Sequence, residues 1–179
     1  MRRSGFRFVL WLVLGGYGLL VGCTTQQYRD DAPVVERQAA WLLLPLVNYS
    51  QTPMAGERAE AILETRLHAA GVKTLMQYPS VPADDGFPSL NERLRYEKAL
   101  LWARHQGATY AITGSIEEWR YKSGLDGEPA VGISLKILAL PDERVLWSGS
   151  AARAGWSRES LAGTAQRVID ELIGTVRFD

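Results

Sequence analysis

From Trp41 the chain carries a near-continuous apolar run, Trp41-Leu42-Leu43-Leu44-Pro45-Leu46-Val47, of strand length. Such a run suits a strand covered on both faces. Pro45 has no N–H to give a ladder, which predicts an edge position or a bulge around it. After a polar break at Asn48 to Pro53, apolar positions recur at Ala55, Ala59, Ile62, Leu63, Leu67 and Ala70. That spacing lines one face of a helix, and Gly71 is a natural C-terminal stop. Val72 to Tyr78 predicts a short second strand ended by Pro79. Residues 79–89, with Asp84-Asp85-Gly86, make a long connection and a candidate functional or flexible loop.

A second helix is predicted from about Leu90 to Gln106, with Ser89 and Glu92 at capping-box spacing and Gly107 at its end. Ala108 to Tyr121 alternates as a strand, with Tyr110, Ile112, Gly114 and Ile116 on one face. Val131, Ile133, Leu135 and Ile137 repeat that period. Pro141-Asp142-Glu143-Arg144 turns the chain into a strand at Val145 to Ala154. In the last element Leu161, Ala165, Val168, Ile169, Leu172, Ile173 and Val176 fall at helical intervals, with Ser157 as the expected cap. Strand, helix, strand, helix, three strands and helix make an α/β fold: a single mixed sheet of about five strands with about three packed helices. No internal repeat is visible.

The amino terminus follows a different logic. Arg2, Arg3 and Arg7 precede an apolar run and then Leu20-Val21-Gly22-Cys23, the layout of an export signal. The apolar run is about 15 residues and carries Gly15, Gly16 and Gly18, short of the ~20 that span a bilayer, which argues against a transmembrane anchor. Leu20 to Cys23 resembles a bacterial lipobox. The resemblance implies cleavage before Cys23, a diacylglycerol on its thiol and an acylated new amino terminus. Several acyl chains hold where one binds only marginally. An ordinary soluble export signal with a chance cysteine is the alternative, but the one cysteine in the chain stands where the motif requires it. Residues 1–22 are then a signal peptide, 23–39 the acylated cysteine with a polar tether, and 40–179 a single domain. Thr24 is not the aspartate that commonly retains such lipoproteins in the inner membrane, so by resemblance the anchor lies in the outer membrane and the body faces the periplasm.

Charge narrows the function further. The chain has 20 basic and 20 acidic residues, and loss of the three signal arginines leaves 17 against 20, a net charge of −3. No basic footprint for nucleic acid is present. With Cys23 acylated, no thiol remains for a disulfide, and the domain relies on packing.

Candidate chemistry is thin. His68 and His105 fall on predicted helices without partners at metal-ligand spacing, and Glu64 four residues before His68 is one pair, not a site. No G-x-S-x-G, H-E-x-x-H or phosphate-loop motif occurs. Glu117 and Glu118 are adjacent on a strand and are expected on opposite faces, unable to share a substrate. The expectation is a protein that is not an enzyme, with no catalytic residue, metal or cofactor beyond the lipid. Two loop features remain. Lys122 to Pro129 joins two strands and carries Asp126 and Glu128, either a solvated hairpin tip or, repeated around a ring, a negative field that attracts cations. Trp156 is either a hydrophobic staple against Leu161 or an interfacial tryptophan, flanked by Arg153 and Arg158, which could meet lipid phosphates.

The lipobox at Cys23, the run Trp41 to Pro53, Ala59-Glu60-Ala61-Ile62, Leu75 to Pro79, Tyr110 to Tyr121 and Gly155 to Leu161 together resemble the PelC family, outer-membrane lipoproteins of Pel exopolysaccharide export. More loosely, the element order is similar to the CsgG and TolB amino-terminal fold. The resemblance implies a ring of about a dozen subunits under the outer membrane, beside a β-barrel export porin. Its electronegative funnel would guide a partly deacetylated, cationic polysaccharide. It also implies Cys23 as the lipid anchor, Trp156, with Arg153 and Arg158, as the membrane contact, and Asp126, with Glu128, as funnel lining. Two other roles fit the fold: a regulatory lipoprotein that activates a cell-wall synthase, and a CsgG-like pore subunit. The first usually needs a longer tether, and the second needs spare strands with lipid-facing alternation.

Overall fold

The computed structural model describes residues 34–79, 92–123, 127–156 and 158–179. The apolar run from Trp41 becomes strand β1 (Ala40–Asn48), followed by α1 (Ala55–Ala69), β2 (Thr74–Gln77) and α2 (Glu92–Ala103). Then come β3 (Tyr110–Tyr121), β4 (Pro129–Ala139), β5 (Arg144–Ala154) and α3 (Leu161–Ile173). One mixed sheet runs β2-β1-β3-β4-β5, parallel among its first three strands and antiparallel thereafter. This is the architecture that the hydrophobic pattern predicts.

The two crossovers leave β1 and β2 in opposite directions along the sheet, and right-handed connections therefore place their helices on opposite faces. α1 and α3 share one face, where Trp41, Leu43, Leu46, Ile112, Ile116, Ile133, Leu135 and Ile137 are buried beneath them. Each such aliphatic side chain contributes roughly 1.5–3 kcal/mol on full burial. α2 covers β1 on the other face, over Leu42, Leu44 and Ala111. Coverage from both sides explains why β1 is apolar throughout. Beyond α2 the same face of β4 and β5 is open, and Lys136, Ser148, Ser150 and Ala152 are exposed there.

Pro45 sits at a bulge inside the sheet. The β1–β3 register slips between Leu43 and Leu46, and β2 stops opposite Leu43. The groups left unpaired are satisfied by side chains: the Thr113 hydroxyl donates to Pro45 O at 2.8 Å, and the Leu46 N–H donates to Glu60 Oε1 at 2.9 Å. Glu60 on α1 thus takes the place of a strand partner where β2 ends.

Three boundaries differ from the sequence reading. Val35 is fully buried and bridges in parallel to Phe178, and the Arg37 N–H donates to Asp179. Residues 34–39 therefore belong to the folded body and not to the tether, because backbone pairing with the carboxyl terminus ties them down. α2 ends at Ala103 instead of Gln106, and its expected cap, Ser89, lies outside the described residues. The cap of α3 is Ser160, whose hydroxyl accepts from the Gly163 N–H at 3.0 Å, and not Ser157. An extended residue with its oxygen over the first turn is what a cap requires, and Ser160 provides both.

Candidate functional site

β1, β3 and β5 all finish at one end of the sheet. That end collects the β1–α1 turn, the β3–β4 hairpin and the β5–α3 turn. In the last of these, the Gly155 N–H donates to Pro129 O at 2.7 Å. A Cβ on Gly155 would stand 2.5 Å from Glu159 Oε2 and 2.8 Å from both Pro129 and Thr164, so only glycine lets the turn lie this close. Arg167 donates to the Glu159 carboxylate and holds its pKa below the usual range. Tyr121 reaches across from β3, its hydroxyl accepting from the Leu161 N–H at 3.3 Å. On this clamped turn Trp156 is 77% exposed. It is not a staple against Leu161, because a staple residue stands immediately before the cap and the cap is Ser160. Arg153 and Arg158 are exposed beside it, and among the described residues neither has a carboxylate within salt-bridge distance.

The hairpin is closed by the Lys122 N–H donating to Glu128 O at 2.7 Å. The Glu128 carboxylate lies 3.9 Å from Lys122 Nζ and is half-exposed. Asp126 lies outside the described residues, as does Cys23. The expectation that Glu117 and Glu118 point to opposite faces is corrected. β3 slips register against β4 between Ile116 and Glu118, and a Cβ on Gly132 would stand 3.6 Å from the Cβ atoms of both glutamates. A bulge puts two consecutive residues opposite one, so both carboxylates share the open face. Glu118 pairs with Arg120 at 2.9 Å, whereas Glu117 accepts from the Ser115 hydroxyl at 2.6 Å and is exposed.

A second group of carboxylates surrounds Arg95. Its guanidinium donates to both oxygens of Glu60, at 3.2 and 3.1 Å, and lies 3.8 Å from Glu57. Glu60 is 2% exposed. The pair joins α1 to α2 around the free upper edge of β1. Burial, and then the Glu57 carboxylate, push Glu92 above the usual carboxylate range, while Arg95 pulls it partly back. A carboxyl whose pKa is raised by folding contributes stability that is full below its unfolded value, about 4.3, and lost as pH rises through the folded value. Glu92→Gln is therefore expected to melt above the parent protein at pH 7, with the gap closing near pH 4. Thermal melts across that range measure it, and coincident curves at pH 7 would show Glu92 to be fully solvated.

No protein-family model and no curated protein matches the chain. Among solved structures, the PelC dodecamer from Paraburkholderia phytofirmans is 32% identical, covering 88% of this chain and 98% of its own, with a TM-score of 0.71. The chain belongs to the PelC family. A variant of that dodecamer in another crystal form gives 31% identity and a TM-score of 0.69. A lipoprotein from Neisseria meningitidis, 16% identical over 76% of this chain and 96% of its own with a TM-score of 0.52, shares the fold alone.

In this PelC-family chain most of the described carboxylates toward the turn-bearing end are matched by a cation: Glu128 by Lys122, Glu118 by Arg120, Glu159 by Arg167 and Glu60 by Arg95. Among the described residues Glu117 is exposed there without a cation, and the sequence had weighed it only as half of a carboxylate pair. Two adjacent charges within an alternating strand were the available signal, since a bulge is the economical way to keep both in water. His68 and His105 are exposed at the opposite end, with His68 Nδ1 2.9 Å from Val72 O. Among the described residues no three His, Cys, Asp or Glu side chains come together as a metal site.

Proposed function

We propose that this chain is a lipid-anchored subunit of an outer-membrane exopolysaccharide export apparatus. It assembles into a periplasmic ring that steers a cationic, Pel-like polysaccharide toward an outer-membrane β-barrel porin by electrostatics, without chemistry. The observation that carries the reading is the match to a PelC dodecamer across 98% of that protein. Cys23 holds the acyl chains, and Trp156, with Arg153 and Arg158, meets the anionic or zwitterionic bilayer. Asp126 and Glu128 at the hairpin, joined by Glu117 on the bulge, line the passage. Glu128 is locally offset by Lys122, so the field depends on repetition around the ring more than on any single copy. Screening beyond ~8 Å at physiological salt confines that field to a narrow passage.

Geometry constrains this arrangement. The first described residue, Val34, lies at the end opposite Trp156. An extended chain covers at most about 3.3–3.6 Å per residue, so the 11 steps from Cys23 to Val34 reach roughly 36–40 Å. β3, with 12 residues, is about 40 Å long. Trp156 meets the bilayer only if the tether uses nearly all of its reach.

The test is the mass of the acyl-free protein, residues 24–179, and of the lipidated protein in mild detergent. A large closed oligomer in either supports the ring, and Asp126→Asn is then expected to lower polysaccharide secretion without lowering the amount of protein. A monomer in both overturns the funnel, because one copy cannot enclose a polymer.

A further inference from the structure

We infer that the groove between the carboxyl-terminal ends of α1 and α3 is the docking site of the chain's own tether, through Tyr28 to Asp31, and that it fixes where the lipid leash leaves the body. The docking needs neither the ring nor the polymer; its consequence for the leash rests on the lipid-anchored reading above. The groove holds about 430 Å³, and its lining includes the apolar Ile173, Val176 and Phe178 and the charged Arg37, Arg66 and Asp170. Arg66 is paired with Asp170. The Arg37 guanidinium has no carboxylate within salt-bridge distance among the described residues, and its carbon stands 5.7 Å from the Phe178 ring centroid. Among those residues the buried Nε atoms of both arginines have no hydrogen-bond partner. A buried N–H left unpaired is unfavourable, and a guanidinium can be satisfied only by an acceptor. With one more cation than anion beside an apolar wall, the groove fits a carboxylate next to an aromatic or aliphatic group.

The tether supplies that chemistry at the right place. Residues 24–33 lie outside the described residues, and their sequence closes on Tyr28-Arg29-Asp30-Asp31-Ala32-Pro33. The Val35 N–H donates to Arg177 O at 2.8 Å, and Val35 O accepts from the Asp179 N–H at 3.2 Å, so the tether sets out beside Phe178. From Val34 the extended chain covers at most about 10–11 Å to Asp31 and about 20–22 Å to Tyr28. Asp30 and Asp31 meet Arg37 and Arg66, the Tyr28 ring lies on the apolar wall, and Arg29 has Asp170. A short flexible connection keeps such a segment at an effective concentration of the order of millimolar, so a contact too weak to form between molecules is populated within one. The tether of a second copy is the less favoured occupant for the same reason. Docked, the tether keeps a free leash from Cys23 to Tyr28 of roughly 17–18 Å. α3 rises about 1.5 Å per residue, so Asp170 to Leu161 is roughly 14 Å, and a leash laid along this side of the body still brings Cys23 to the start of α3.

The acyl-free chain, residues 24–179, keeps every element of the fold and contains no cysteine. In it Gln27→Cys is combined with Ala69→Cys, exposed at the groove, or with His105→Cys, exposed at the same end but beyond α2 on the other face of the sheet. With copper–phenanthroline as oxidant, the intramolecular disulfide is expected to form about tenfold faster with position 69 than with position 105, the gain that a docked segment gives over a free one. Asp30→Asn together with Asp31→Asn leaves the folded body untouched and is expected to remove that preference. Equal rates for the two pairings overturn the docking and, because this protein carries no lipid, leave the lipid-anchored reading standing. A preference that survives neutralisation shows that the tether's starting point alone sets it, and overturns the match to the arginines. Disulfide-linked dimers in place of monomers give the groove to a second copy and overturn the inference as well.

Discussion

Arg95→Met is expected to destabilise the protein by about 3 kcal/mol, toward the lower end of what breaking a buried pair costs. The loss comes from what remains behind. Glu60 would keep its carboxylate in a site 2% exposed, with the Leu46 N–H and Gln77 Nε2 as its remaining donors. Arg95 itself is 20% exposed, which is why the lower end applies. The double variant Glu60→Gln with Arg95→Met is expected to recover most of the loss, because a neutral amide still accepts from Leu46 and strands no charge. Urea unfolding of the parent and the two variants measures it. A double variant as unstable as Arg95→Met alone would mean that the guanidinium acts by packing α2 and not by neutralising Glu60. Against a total stability of 5–15 kcal/mol the single change is large.

Gly114→Ala is expected to cost at least as much, by a different route. A Cβ there would stand 1.9 Å from Ser134 O and 3.0 Å from Leu135 Cα, both backbone atoms of the paired strand β4. No rotamer relieves such a contact, so β3 and β4 must separate in the middle of the sheet. Overpacking a core typically costs 1–3 kcal/mol, and a backbone clash belongs at about 3 kcal/mol or beyond. Gly132→Ala on the same ladder is the control, since its Cβ would meet atoms only at 3.5–3.6 Å, ordinary contact distances. Its urea midpoint should stay close to that of the parent, while that of Gly114→Ala falls sharply. Equal midpoints for the two alanine variants would show that the strands yield at Gly114 at little cost.

Both sites show how far the sequence could be read. The period of 3.6 in Leu161 to Val176 and the period of 2 in Val131 to Ile137 identified α3 and β4, because each follows from burying one face of a regular element. Pro45 announced its bulge by lacking an N–H, and the PelC resemblance on Trp41 to Pro53 and Tyr110 to Tyr121 pointed to the family that the dodecamer match establishes. Ser157 and Ser160 are chemically alike as caps, however, and only the path of the chain selected Ser160.

The sequence by itself determined the element order, the mixed sheet and the apolar character of β1, because these depend on local period and on which residues must leave water. The tertiary structure alone decided what depends on distant partners. Glu60 and Arg95 are 35 residues apart and meet only where β2 stops short of the end of β1. Glu117 and Glu118 came to one face through a slip in β3–β4 pairing that no alternation rule encodes. Val35 was drawn into the body by Phe178, 143 positions away. Trp156, far along the chain from Tyr49 and Met54, came to the same end because β1 and β5 both finish there.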